Sequence, residues 1–170
     1  FEEPPATAYE LNGWGDDLVH DYLKAIDGDL SSVDAPYRYR VLVPVIARLM
    51  PMPPLDALKT ISYLSLLGGY LLILMACEKL GLSRLESALG LVVAFLSNWH
   101  LFHYHNPFLT DAFGLLVLCA MAHALLAGRF ALYLAALLAG GMAREATAFL
   151  APAWFLARDR GRGVVAVAIV

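Results

Sequence analysis

Charge is what this chain lacks over most of its length. Only 16% of its 170 residues are charged, against 60% hydrophobic, and the mean hydropathy is +0.65. Soluble globular domains do not reach that balance, so the composition points to an integral membrane protein. Cysteine is scarce as well. Cys77 and Cys119 sit inside apolar runs, which excludes a disulfide framework and reads as two buried thiols. Bases are few: 12 Lys and Arg against 15 acids give a net charge of −3. With no basic face, a nucleic-acid partner is excluded. Polar groups within the apolar runs are almost confined to His123 and Arg144-Glu145, too few for a transporter's mid-membrane site.

What is there is organised in two parts. Residues 1–57 hold most of the acids and read as an extramembrane or interfacial amphipathic helical region. Residues 58–170 read as an all-α transmembrane bundle of about six segments, the last truncated. The spans fall at 58–77, 85–101, 111–127, 130–142 and 146–157, with another starting at Gly163. Within the first part, a helix starts near Asp16 and ends before Gly28. A short interfacial or re-entrant helix follows over 40–50, broken by Pro51, Pro53 and Pro54. The start at Phe1 and the apolar end 164–170 read as a piece cut from a longer protein.

The stretch Gly140-Gly141-Met142-Ala143-Arg144-Glu145-Ala146-Thr147 decides the topology. Residues 130–143 and 146–157 are uncharged, and each charge at membrane depth costs roughly 2.5–3.5 kcal/mol. Either one long helix buries an Arg-Glu pair, or two short helices meet at a polar tip. In the second arrangement Lys79, Arg84, Arg129 and the bases of 158–162 share one face, as the positive-inside rule asks. The second arrangement is therefore the expected one. It places residues 1–57, the loop 100–110 and Arg144-Glu145 on the non-cytoplasmic side. Both helices are then shorter than the ~20 residues of a full span and need thinned bilayer or close packing.

Four groups of residues carry candidate chemistry. Asp16 and Asp17, with Asp21 one turn on, offer a general base or oxygen ligands for a divalent cation; the plain alternative is helix-dipole stabilisation. His100, His103 and His105 lie in a loop with Asn106 and Asp111. Imidazole and carboxylate there would suit a metal, while interfacial anchoring and N-capping by Asp111 are the ordinary alternatives. Arg38 and Arg40, interleaved with Tyr37 and Tyr39, suit a lipid phosphate or diphosphate, or simple headgroup anchoring. Arg144 and Glu145 form either a mutually neutralised pair or the wall of a pocket.

The order of these features resembles the N-terminal module of the GT-C superfamily of integral membrane glycosyltransferases. It comprises Asp16-Asp17 with Tyr22, then Pro36-Tyr37-Arg38-Tyr39-Arg40, Pro107 with Asp111, and Gly141-Met142-Ala143-Arg144-Glu145. The resemblance implies sugar transfer from a polyprenyl-phosphate donor at the non-cytoplasmic face. It makes Asp16 or Asp17 the first acidic position, Asp111 the second and Arg144 the basic turn. One Asp would deprotonate the acceptor, and Arg38, Arg40 and Arg144 would balance charge on the leaving phosphate, with Glu145 and Tyr22 beside the substrate. A divalent cation would sit between acids, with Asp17, Asp111, His103 and His105 as its candidate ligands. Membrane lipids, and other membrane subunits, are the implied partners. The competing expectation is a non-catalytic accessory subunit that keeps the fold, in which His123 would ligate a cofactor or hydrogen-bond a neighbouring helix.

Overall fold

A computed structural model describes residues 16–33, 39–96, 102 and 110–157, and among them there is helix and no strand. The helices are α1 (Asp16–Asp27), α2 (Leu42–Leu49), α3 (Pro54–Lys79), α4 (Arg84–Leu96), α5 (Asp111–Ala127), α6 (Phe130–Ala143) and α7 (Ala153–Ala157). Two 3₁₀ segments, Leu30–Ser32 and Glu145–Leu150, fill the gaps after α1 and α6.

Local chemistry sets most of the ends. α1 opens on two acids and carries Lys24 in its last turn, the charge order that suits its dipole. Just beyond it, the Asp29 carboxylate accepts from the Ser31 and Ser32 hydroxyls, each at 2.7 Å, which holds it below the ordinary Asp range. In α2, Pro44 lies in the first turn, where its missing N–H costs nothing. α3 starts with Pro54 at its first position. Before α4, Ser83 and Glu86 form a reciprocal capping box: the Ser83 amide donates to Glu86 and the Glu86 amide returns to Ser83 Oγ. Between α5 and α6, Gly128 adopts φ +67°. That left-handed residue lets the Arg129 amide reach the Ala124 carbonyl at 2.9 Å and reverses the chain within two residues.

Packing fixes the directions. Ala143, at the end of α6, is buried with Tyr22 and Ile26 of α1, Val43 and Ala47 of α2, and Leu58 at the start of α3. Leu66 and Tyr70 of α3 bury against Ala112 of α5, with Leu91 and Ala94 of α4 beside them. α3 and α5 therefore run one way, and α4 and α6 run back. One end of the bundle carries α1, α2, the start of α5 and the end of α6. The other end carries the turns with Lys79, Arg84 and Arg129.

The chain folds back again after α6. Arg144 leaves the helix in an extended conformation, and the following 3₁₀ segment returns alongside α6. Trp154 is 2% exposed and packs on Phe130 and Tyr133, ring centroids 5.2 and 5.3 Å apart. The Tyr133 hydroxyl donates to the Leu150 carbonyl. Tyr133→Phe is therefore expected to cost about 1 kcal/mol, read as a lower thermal midpoint in detergent.

Some expectations change in detail. Residues 146–157 do not form one continuous helix but a 3₁₀ segment and a short α-helix. Pro152 has no N–H to give the Ala148 carbonyl, and the Leu150 carbonyl is taken by Tyr133. The helix expected over 85–101 is described as far as Leu96; the rest lies outside the described residues. Helix α3 alone, among the described residues, is long and apolar enough to cross a membrane, at 26 residues or about 39 Å. Only 33% of its most apolar window is buried inside the molecule.

Candidate functional site

Asp111 occupies the first position of α5, preceded by Thr110 at the cap position, whose side chain makes no capping hydrogen bond. Asp111 is thus inside the helix rather than its cap, at the electropositive end of the dipole. Arg144 directly follows α6. Because Gly128 turns α6 antiparallel to α5, the start of one helix and the end of the other meet at the same rim. There the Arg144 guanidinium, through Nη1, pairs with Asp111 Oδ1.

The backbone of Arg144 is clamped on both sides. Its amide donates to the Gly140 carbonyl at 2.7 Å, and its carbonyl accepts from the Thr147 amide at 3.0 Å. Thr147 is buried and its side chain packs on Gly140, where a Cβ would stand 2.7 Å from Val117 Cγ1. Glycine at 140 is what lets the returning segment lie against α5 and α6 and aim Arg144 at Asp111.

Beside the pair opens a cavity of about 610 Å³, lined by Phe102, Leu115, Leu118, Thr147 and Leu150 as well as Asp111 and Arg144. The two charged side chains are 30% and 42% exposed, so they are neither sealed in the core nor fully in solvent. A guanidinium and a carboxylate over apolar walls suit an amphiphile with an anionic group.

The other sequence candidates are distributed around this rim. Asp16 and Asp17 open α1, but their side chains lie outside the described residues, as do Arg38, His103, His105 and the Glu145 side chain. The expected Arg144–Glu145 pair falls on a side chain outside the described residues; among those described, Arg144 pairs with Asp111. Tyr22 is 2% exposed and packs in the cluster that holds Ala143, one residue before Arg144. It supports the rim from below and does not line the cavity. Asp21 is buried, with Lys24 at 3.8 Å. Arg40 is half-buried and has a partner, and it is not among the residues that line the cavity. The Arg48 guanidinium lies over Gly28 at the end of α1, where a cation complements the helix dipole. His123 is buried in α5, and its Nδ1 has no hydrogen-bond partner among the described residues. Cys77 and Cys119 are half-buried free thiols.

Thr147 and Phe102 were not singled out from sequence. Neither carried a local signal, since both reach the rim through the packing of distant segments. Among the described residues no three His, Cys, Asp or Glu side chains converge on a metal-sized site, and Asp111 already faces a guanidinium. No family model, no curated protein and no solved structure matches the chain.

Proposed function

We propose that this chain is a module of a multi-pass membrane glycosyltransferase that uses a polyprenyl-phosphate sugar at its non-cytoplasmic rim. The observation that carries the reading is the Asp111–Arg144 pair at the mouth of a largely apolar cavity. In the resting state the two charges hold each other. A donor phosphate competes for the guanidinium and releases the carboxylate. The acceptor hydroxyl oxygen then attacks the anomeric carbon, its proton passes to Asp111, and the bond from that carbon to the phosphate oxygen breaks. Polyprenyl phosphate departs with the electron pair, its charge met by Arg144. The step draws on these two side chains.

Multi-pass insertion is part of the proposal. Only a third of the apolar window of α3 is buried inside the molecule, and Leu64, Leu67, Leu71 and Met75 are exposed. The core helix of a soluble protein would bury them. α5 and α6, at 17 and 14 residues, reach about 26 and 21 Å and would cross only with local thinning of the bilayer. Lys79, Arg84 and Arg129 gather at the end opposite the ion pair, and the positive-inside rule favours that end as the cytoplasmic one.

The test is transfer of a labelled sugar from a polyprenyl-phosphate donor by the full-length protein in lipid nanodiscs. Turnover that disappears in Asp111→Asn, in protein that still folds, supports the reading. The exposed apolar side chains of α4, such as Leu85 and Leu96 at 70% and 74%, favour a second reading as an accessory subunit packed against other chains. That reading gains if turnover is absent and the protein co-purifies with partner subunits at fixed stoichiometry.

A further inference from the structure

A second cavity, of about 790 Å³, lies between α3 and α4, away from the ion pair. It changes character along its length. Asp56, Lys59 and Tyr63 line the end nearest α1 and α2; beyond them the wall is the 64–74 face of α3 against Leu91 and Phe95 of α4. Phe95 stacks on Tyr70 at 4.8 Å, which fixes the floor. The dimensions match one leaflet. Residues 64–74 rise about 15 Å, half of a ~30 Å hydrocarbon core. The polar stretch 56–63 adds about 10 Å, the depth of the interfacial layer with some margin.

The polar end carries one charge of each sign. Asp56 and Lys59 stand three apart on one helix face, and neither is ion-paired among the described residues. A zwitterionic headgroup complements that arrangement: its phosphate at Lys59 and its ammonium at Asp56. An anionic headgroup would meet the Asp56 carboxylate uncompensated.

We propose that this groove holds one zwitterionic glycerophospholipid of the phosphatidylethanolamine type, headgroup at Asp56 and Lys59 and an acyl chain along 64–74. The proposal rests on α3 as a membrane span and is independent of sugar transfer. Native mass spectrometry tests it on full-length protein in mild detergent, with phosphatidylethanolamine, phosphatidylglycerol and polyprenyl phosphate supplied in equal amounts. One phosphatidylethanolamine is expected per chain, retained about 10-fold over phosphatidylglycerol. Leu71→Trp fills the groove and is expected to cut retention about 10-fold with an unchanged thermal midpoint. Asp56→Asn with Lys59→Gln is expected to bring the two headgroups to parity while a lipid is still held. Preference for phosphatidylglycerol or polyprenyl phosphate, or retention that Leu71→Trp leaves unchanged, overturns the proposal. Turnover measured on the same samples keeps the readings apart, since the groove variants leave the ion pair untouched.

Discussion

Arg144→Ala is expected to lower sugar transfer by about 10²–10³-fold, the usual cost of removing one preorganised charge from a developing anion. The side chain is partly exposed and ion-paired with Asp111, so a structural contribution has to be separated from a catalytic one. Its stabilising share is small, because pairs this open to solvent contribute little once screened. The melting temperature should therefore fall only slightly. The charge-swapped double variant, Asp111→Arg with Arg144→Asp, keeps the attraction and reverses its direction. It is expected to fold and to stay inactive, since the cation then sits where the proton acceptor belongs. Recovery of turnover in that swap would assign the pair a purely structural role. Arg144→Lys keeps the charge but loses the fork that grips a phosphate through two N–H groups, and is expected to fall between the two.

The second large effect concerns two adjacent glycines with opposite expected signs. At Gly140 an added methyl would meet the Thr147 side chain and stand 2.7 Å from Val117 Cγ1. Both neighbours are β-branched and about 95% buried, so neither yields easily. Overpacking of this kind costs about 1–3 kcal/mol, while replacing glycine by alanine inside a helix returns about 0.5–1 kcal/mol. The clash wins, so Gly140→Ala should destabilise the fold. It should also cost activity, because the displaced segment is the one that aims Arg144. At Gly141 nothing among the described residues lies within 4 Å of the same methyl, so only the helix gain remains and Gly141→Ala should stabilise. At roughly 2–4 °C per kcal/mol for a chain of this size, thermal unfolding in detergent separates the two. Equal shifts for both variants would mean that the returning segment does not pack on α6.

The break after Ala143 was legible because a charged pair cannot sit comfortably in an uncharged helix, and two glycines precede it. The pairing of Arg144 with Asp111 was not. Asp111 reaches Arg144 through the register of two antiparallel helices. That register depends on the contact between Gly140, Val117 and Thr147, which no local pattern displays. The helix ends at Gly28 and Gly128 and the Ser83–Glu86 capping box follow from short-range chemistry and could be read directly. Residues 146–157 look like an apolar helix in sequence. Their 3₁₀ path depends on Pro152 and on a long-range hydrogen bond from Tyr133. Arg48 is a base that the charge rule disfavours on its side, yet the end of α1 accounts for it without a ligand. The groove along α3 lies on positions whose exposure appears only once the packing of α5 is known. The side chains of Asp16, Asp17, His103 and His105 lie outside the described residues.

Membrane sidedness of Leu156 tests the central arrangement most directly. Single cysteines at Asp29, Arg129 and Leu156, in a background lacking Cys77 and Cys119, would be labelled in sealed vesicles by a reagent that cannot cross the bilayer. With the chain doubled back after Arg144, Leu156 reacts from the same side as Arg129 and opposite to Asp29. Labelling of Leu156 together with Asp29 would mean that α6 and α7 continue as one rod, leaving Arg144 at mid-membrane and the rim without its pair.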